Sequence, residues 1–239
     1  HYTLTLVSPL AEGLGEGTDR SPLLVCCYQP EPLPAGKIPV IVQSHGLASC
    51  PEDLATSAQH LASYGYFVVA LQHEGSDTAQ VRNMLAGNAS EVFQWTEFVD
   101  RPANISRLLD ALQRWNQVEF QDRLNLQAVG VMGYSFGAYT AFALAGAEIQ
   151  FETLETACNI PLQKPNISLL LQCQALELPR QPYQFRDDRI AAILSIDSLG
   201  SELFGMAGIG KIQVPVLLIA GSHDATAPLA LEQIRIFQW

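Results

Sequence analysis

Ser135 stands in the run Gly133-Tyr134-Ser135-Phe136-Gly137, the G-x-S-x-G spacing of a nucleophile elbow. The spacing has a steric cause. A serine held at a sharp strand-to-helix bend takes a strained backbone conformation, and strand and helix approach closely only where the flanking positions are as small as glycine. The hydroxyl is then presented over a helix N-terminus, whose free N–H groups favour a developing oxyanion. That is the chemistry of acyl transfer through a covalent serine intermediate. Other residues could complete it. Ser44-His45-Gly46-Leu47 follows a buried apolar run, where a backbone N–H can supply a second oxyanion donor, and Gln72-His73 ends another such run. Asp197 and Asp224 each follow a strand, and either carboxylate could orient an imidazole beside the elbow.

The elements that must position these residues alternate along the chain. Thr3 to Val7 and Leu23 to Tyr28 read as an antiparallel opening pair joined by a turn rich in glycine at Gly13, Gly15 and Gly17. Ile38 to Gln43, Phe67 to Leu71, Ala128 to Met132, Ile190 to Ile196 and Val214 to Ala220 are continuous apolar runs, as expected of strands buried on both faces. Helices are expected between them. One opens at Pro51 and stops at Gly65, another carries Ile105, Leu108, Leu109 and Leu112 on one face up to Trp115, a third covers Ala138 to Ala147, and the last opens at Pro228. This order predicts a mostly parallel sheet with right-handed crossovers and helices on both faces. Residues 148–189 break the rhythm and read as an insertion above the sheet edge. Its Leu169, Leu170, Leu171, Leu176 and Leu178 either offer an apolar surface to an acyl chain or close a small core of their own. Cys158 and Cys173 in the same segment suit either a disulfide formed in an oxidising compartment or two buried thiols.

Composition narrows the partners. The 239 residues hold 13 Lys and Arg against 24 Asp and Glu, a net charge of −11, and 48% are hydrophobic. One large core is therefore affordable, and disorder is excluded. An acidic surface repels nucleic acid and anionic membranes, leaving small neutral or apolar substrates. The apolar run at Val214 to Ala220 falls far short of the roughly 18 residues of a spanning helix, so stable membrane insertion is not expected. The five cysteines form no CxxC pair and none is followed by histidine at ligand spacing, so neither a metal nor an organic cofactor is implied.

Ser-His-Gly-Leu at 44–47, Gln72-His73, Gly-Tyr-Ser-Phe-Gly-Ala at 133–138 and Val-Pro-Val-Leu-Leu-Ile-Ala-Gly-Ser-His-Asp at 214–224 together resemble the α/β-hydrolase superfamily. Within it they are similar to the bacterial predicted dienelactone hydrolases and the platelet-activating-factor acetylhydrolase-like esterases. The resemblance runs from Leu23 to the end. It implies one α/β-hydrolase domain over residues 1–239, with a lid or cap at 148–189 and a bacterial origin. It further implies Ser135 as nucleophile, the amides of Leu47 and Phe136 as oxyanion hole, and a pocket bordered by His45, Gly46, His73 and Tyr134. Asp224 takes the role of triad acid, with Asp197 as the alternative because the acetylhydrolase relatives place theirs there. The dienelactone enzymes proper use cysteine, so the serine here points away from that activity and towards carboxylic esters with neutral or lipid-like acyl groups. Triad order in this fold is serine, acid, histidine, which makes His45 a side chain packed under its loop and not the base. His1, His60 and His223 have no suitable position either. The expectation is that the final strand and the catalytic histidine lie beyond Trp239, and that these residues alone are nearly inactive. A different class of function is a non-catalytic relative that binds a ligand or partner in the same cleft. Export to the periplasm, in preference to a cytoplasmic location, follows from the resemblance and the cysteine pair.

Overall fold

Seven strands form one sheet in the computed structural model, which describes residues 4–5, 23–159 and 166–239. They are β1 (Leu4–Thr5), β2 (Val25–Tyr28), β3 (Ile38–Ser44), β4 (Phe67–Leu71), β5 (Leu124–Tyr134), β6 (Ile190–Ile196) and β7 (Val216–Ile219). Across the sheet they run in the order β1-β2-β4-β3-β5-β6-β7. Neighbours from β4 to β7 are parallel, while β2 is antiparallel to both β1 and β4. This is the expected α/β-hydrolase sheet. The opening pair is present, with Leu4 opposite Cys27; the turn expected at Gly13, Gly15 and Gly17 lies outside the described residues.

The apolar runs fix which strands are central. Every residue of β4 is buried, as are Ile38, Val40 and Val42 of β3, because helices cover a parallel sheet on both sides. A 3-10 turn at Pro51–Leu54 leads into α1 (Ala55–Ser63), which packs on β2 and β4 and stops at Gly65, where φ is +94°. In α2 (Thr78–Leu85) the Asp77 carboxylate caps the first turn, accepting from the Gln80 amide at 2.8 Å. The amphipathic helix expected from Ile105 starts earlier, as α3 (Glu97–Glu119), and buries Phe98, Ile105, Leu108, Leu109 and Leu112. Pro102 inside it has no N–H to give to the carbonyl of Phe98. That carbonyl accepts instead from the Tyr139 hydroxyl at 2.6 Å. A gap in one helix thus becomes a tie to the next, α4 (Phe136–Ala145), whose ten residues are all buried against β5 and β6.

The described residues of 148–189 pack onto the body. They contain α5 (Phe151–Asn159), α6 (Ile167–Cys173) and a 3-10 turn at Gln174–Glu177, and Cys158 and Cys173 form a disulfide with Cα atoms 5.9 Å apart. The leucines divide. Leu178 is in the core, Leu171 and Leu176 pack against it, and Leu170 faces solvent, so the five do not make one apolar face. The segment is anchored by Glu232, a buried carboxylate accepting from the Asn166 amide (3.0 Å), Ser168 hydroxyl (2.7 Å) and Gln172 amide (2.8 Å) with one oxygen. Its other oxygen accepts from the backbone amides of Gly200 and Ser201, where α7 (Ser201–Ile209) begins and a negative charge is favoured.

Two expectations need correction at the C-terminal side. The run Val214 to Ala220 was expected to be buried, yet β7 is an edge strand with Val216, Leu217 and Ile219 exposed at 40%, 61% and 48%. Its outer side has no paired strand among the described residues. The helix expected from Pro228 begins only at Gln233, as α8 (Gln233–Gln238), after a turn in which the Leu231 and Glu232 amides donate to the Pro228 carbonyl and Glu232 departs from regular helical dihedrals at φ −113° and ψ −79°.

Candidate active site

The elbow is built as its glycines require. Ser135 caps α4 at φ 53° and ψ −115°, a region that side chains other than glycine rarely occupy. A Cβ on Gly133 would lie 2.1 Å from the Gly137 carbonyl oxygen, and one on Gly137 would lie 1.9 Å from that of Ser44. Neither position admits a side chain. The bend is gripped on both sides, since the Ser135 amide donates to the Ile196 carbonyl of β6 at 2.9 Å and its carbonyl accepts from the Ala138 amide at 2.9 Å. The Ser135 side chain is half-buried and makes no capping bond. Its hydroxyl is left for other work.

The loop Ser44–Leu47 lies directly against the elbow. A Cβ on Gly46 would come within 3.1 Å of the Tyr134 ring and 3.3 Å of Ser135 Cβ. Phe136 is the first residue of α4, so its amide is one of those with no acceptor inside the helix. His45 is fully buried. Its Nε2 accepts from the His73 amide at 3.0 Å, which places the proton on Nδ1, the atom 2.8 Å from the Gly46 carbonyl oxygen. Burial, reinforced by the charge of Arg101, lowers the imidazole to a pKa of about 4. His73 is buried as well, with Nε2 at 2.8 Å from the Ser44 hydroxyl, and burial holds it well below the usual histidine range. His45 does pack under its loop. Of the residues expected to border a pocket, His45, Gly46 and His73 are buried, whereas Tyr134, beside Ser135, is 40% exposed. The other described histidines are exposed, His60 on α1 and His223 with Nδ1 2.9 Å from the Ser222 hydroxyl.

The two aspartates occupy different settings. Tyr134 pairs with Ile196 in the β5–β6 register, so Asp197 leaves β6 beside the point where Ser135 leaves β5. Asp197 also has a positive φ, 45°, and its Oδ1 accepts from the Gly221 amide at 2.6 Å. Asp224 sits one strand further out. Its Oδ1 accepts from the amides of Thr226 (2.7 Å) and Ala227 (3.0 Å), closing the turn after β7. Burial and then both carboxylates push the Tyr134 phenol up.

Sequence reasoning missed Arg101. It is completely buried, and its Nη1 donates to the His45 carbonyl at 2.7 Å. Nη2 and Nε donate to the Ser76 hydroxyl at 2.7 and 3.2 Å, and Nε lies 3.3 Å from Glu97. Burial pulls the guanidinium down to about 10, still cationic at neutral pH, and burial raises the Glu97 carboxyl against the opposing pull of that charge. The signal was available in principle. Arg101 falls on the same stripe as Ile105, Leu108 and Leu112, and a charge on a buried stripe needs a polar partner. The buried thiols of Cys26 and Cys27 are raised to about 11 and about 12, mainly by burial, so neither competes as a nucleophile at neutral pH.

A family model described as Chlorophyllase matches residues 16–162, more than half of the chain. No curated protein matches it. Among solved structures the chain resembles the acylaminoacyl peptidase of Pyrococcus horikoshii (orthorhombic crystal form), at 16% identity and a TM-score of 0.54. That match covers 92% of this chain and 33% of the peptidase, so the chain spans about a third of the peptidase's length. At this identity the likeness bears on the fold. Among the described residues no helix is long and apolar enough to cross a membrane.

Proposed function

The chain belongs to the chlorophyllase family, within the α/β-hydrolase superfamily, and on that premise we propose that it hydrolyses carboxylic esters through a covalent acyl-serine. Ser135 is the nucleophile, and the amides of Leu47 and Phe136 hold the oxyanion. The observation that carries this reading is the strained elbow at Ser135, with glycines that admit no Cβ and a hydroxyl spared from capping. Such strain persists where a site is pre-organised. For the acid we now favour Asp197 over Asp224, on the strength of its position beside Ser135 and its positive φ. An imidazole acts as the proton acceptor in this reading, as acyl transfer through serine requires. The substrate class is a small neutral or lipid-like ester, supported by the net charge of −11, which disfavours anions, and by the ring of Tyr134 at the cleft. The family's name makes chlorophyll one ester to include. Residues 148–189 act as a cap in this reading, and the Cys158–Cys173 disulfide supports export to an oxidising compartment.

The test is hydrolysis by the full-length protein of p-nitrophenyl esters of increasing chain length and of chlorophyll. Burst kinetics that vanish in Ser135→Ala, with turnover falling by about 10³-fold or more, are expected. Undiminished turnover in that variant removes the proposal.

A further inference from the structure

We infer that Arg101 is a positioning residue for the oxyanion hole, holding the Gly46–Leu47 peptide and the Phe136 side chain in one fixed relation. The inference rests on the reading of Leu47 and Phe136 as oxyanion donors. Arg101 Nη1 donates to the carbonyl of His45 at 2.7 Å. Nη2 reaches towards the Gly46 carbonyl at 3.5 Å, and the His45 Nδ1–H donates to that same oxygen at 2.8 Å. A trans peptide is planar, so the carbonyl of Gly46 and the N–H of Leu47 point in opposite directions. Holding the first towards α3 turns the second away from it. The guanidinium carbon lies 4.3 Å from the centroid of the Phe136 ring, within range of a cation–π contact. One cation therefore reaches both the carbonyl of the peptide that carries the Leu47 amide and the ring of Phe136.

Its setting argues for position over stability. Ser76 accepts from Nη2 and Nε and donates its own proton to Glu97 at 2.7 Å, so guanidinium, hydroxyl and carboxylate form a closed buried network. Replacing a buried ion pair by apolar groups is often neutral or stabilising. An apolar residue, however, would release the His45 and Gly46 carbonyls. A planar fork can reach carbonyl, hydroxyl and carboxylate at once, whereas a lysine ammonium is a single point.

The experiment compares Arg101→Lys with the parent in the full-length protein, counting competent sites by end-point labelling with a fluorophosphonate. Per labelled serine, kcat for a p-nitrophenyl ester is expected to fall about 10- to 100-fold, with KM within about threefold. Affinity for a trifluoromethyl ketone, whose serine adduct bears an oxyanion, is expected to fall by the same factor as kcat/KM. A purely structural arginine would lower Tm and leave both quantities unchanged per labelled site, which overturns the inference. Ser76→Ala, which deletes one oxygen behind the guanidinium, decides the matter if the lysine variant does not fold. It is expected to show a smaller parallel loss, about 3- to 10-fold, and ketone affinity within about twofold of the parent overturns the inference equally. If the parent itself is neither labelled nor active, the oxyanion reading fails first and the inference falls with it.

Discussion

Ser135 and Asp197 leave adjacent strands with positive φ, 53° and 45°, and Ala48, next to Leu47, has a φ of 60°. They are three of the five non-glycine residues with positive φ among the described residues, and each such conformation costs on the order of 1–3 kcal/mol. The elbow was legible in the sequence because its geometry forbids side chains at Gly133 and Gly137, and glycine leaves a mark that spacing reveals. The acid was not. Asp197 and Asp224 both follow strands, and what separates them is cross-strand register and the use of Asp224 to close its own turn, neither of which is visible in residue type. Arg101 escaped notice because its partners are backbone carbonyls and residues distant in sequence. If Asp197 orients the base, Asp197→Asn lowers kcat by about 10³-fold or more while Asp224→Asn changes it by less than about tenfold and mainly lowers Tm. The opposite ranking would return the role to Asp224.

Among the elements, those read most fully from sequence are the ones whose local pattern and tertiary burial agree. Phe67–Leu71 and Ile190–Ile196 appear with the boundaries that their apolar runs suggest. Elements were misjudged where a distant group decides the outcome. The early start of α3 depends on tolerating Pro102, and Tyr139 of α4 makes that possible. How α6 is attached was not legible, since Glu232 lies far along the chain from Asn166, Ser168 and Gln172. The disulfide closes a loop of 15 residues between α5 and α6, for which chain entropy gives about 3 kcal/mol. The double substitution Cys158→Ser and Cys173→Ser should lower stability in urea by that order. A midpoint unchanged from the parent would show that Glu232 and the core contacts hold the segment without the bond.

For the whole molecule, the buried histidines beneath the Ser44–Leu47 loop make stability depend on pH. His45 is about 4 in the folded state, against an ordinary value of 6.5, so the unfolded chain takes up its proton first as pH falls. The stability this imidazole contributes is complete above pH 6.5 and is lost between about 6.5 and 4, on the order of 3 kcal/mol; His73 acts in the same direction. Denaturant midpoints measured at pH 7.5 and 4.5 should differ accordingly, and equal midpoints would mean that the histidines are not held neutral. The central claim is narrower than the fold. It is that a hydroxyl at position 135 forms the acyl bond, and fluorophosphonate labelling of the full-length protein followed by peptide mass mapping tests it most directly. One adduct per chain, on Ser135 and absent from Ser135→Ala, is the predicted result; no adduct, or one on another residue, would contradict the account.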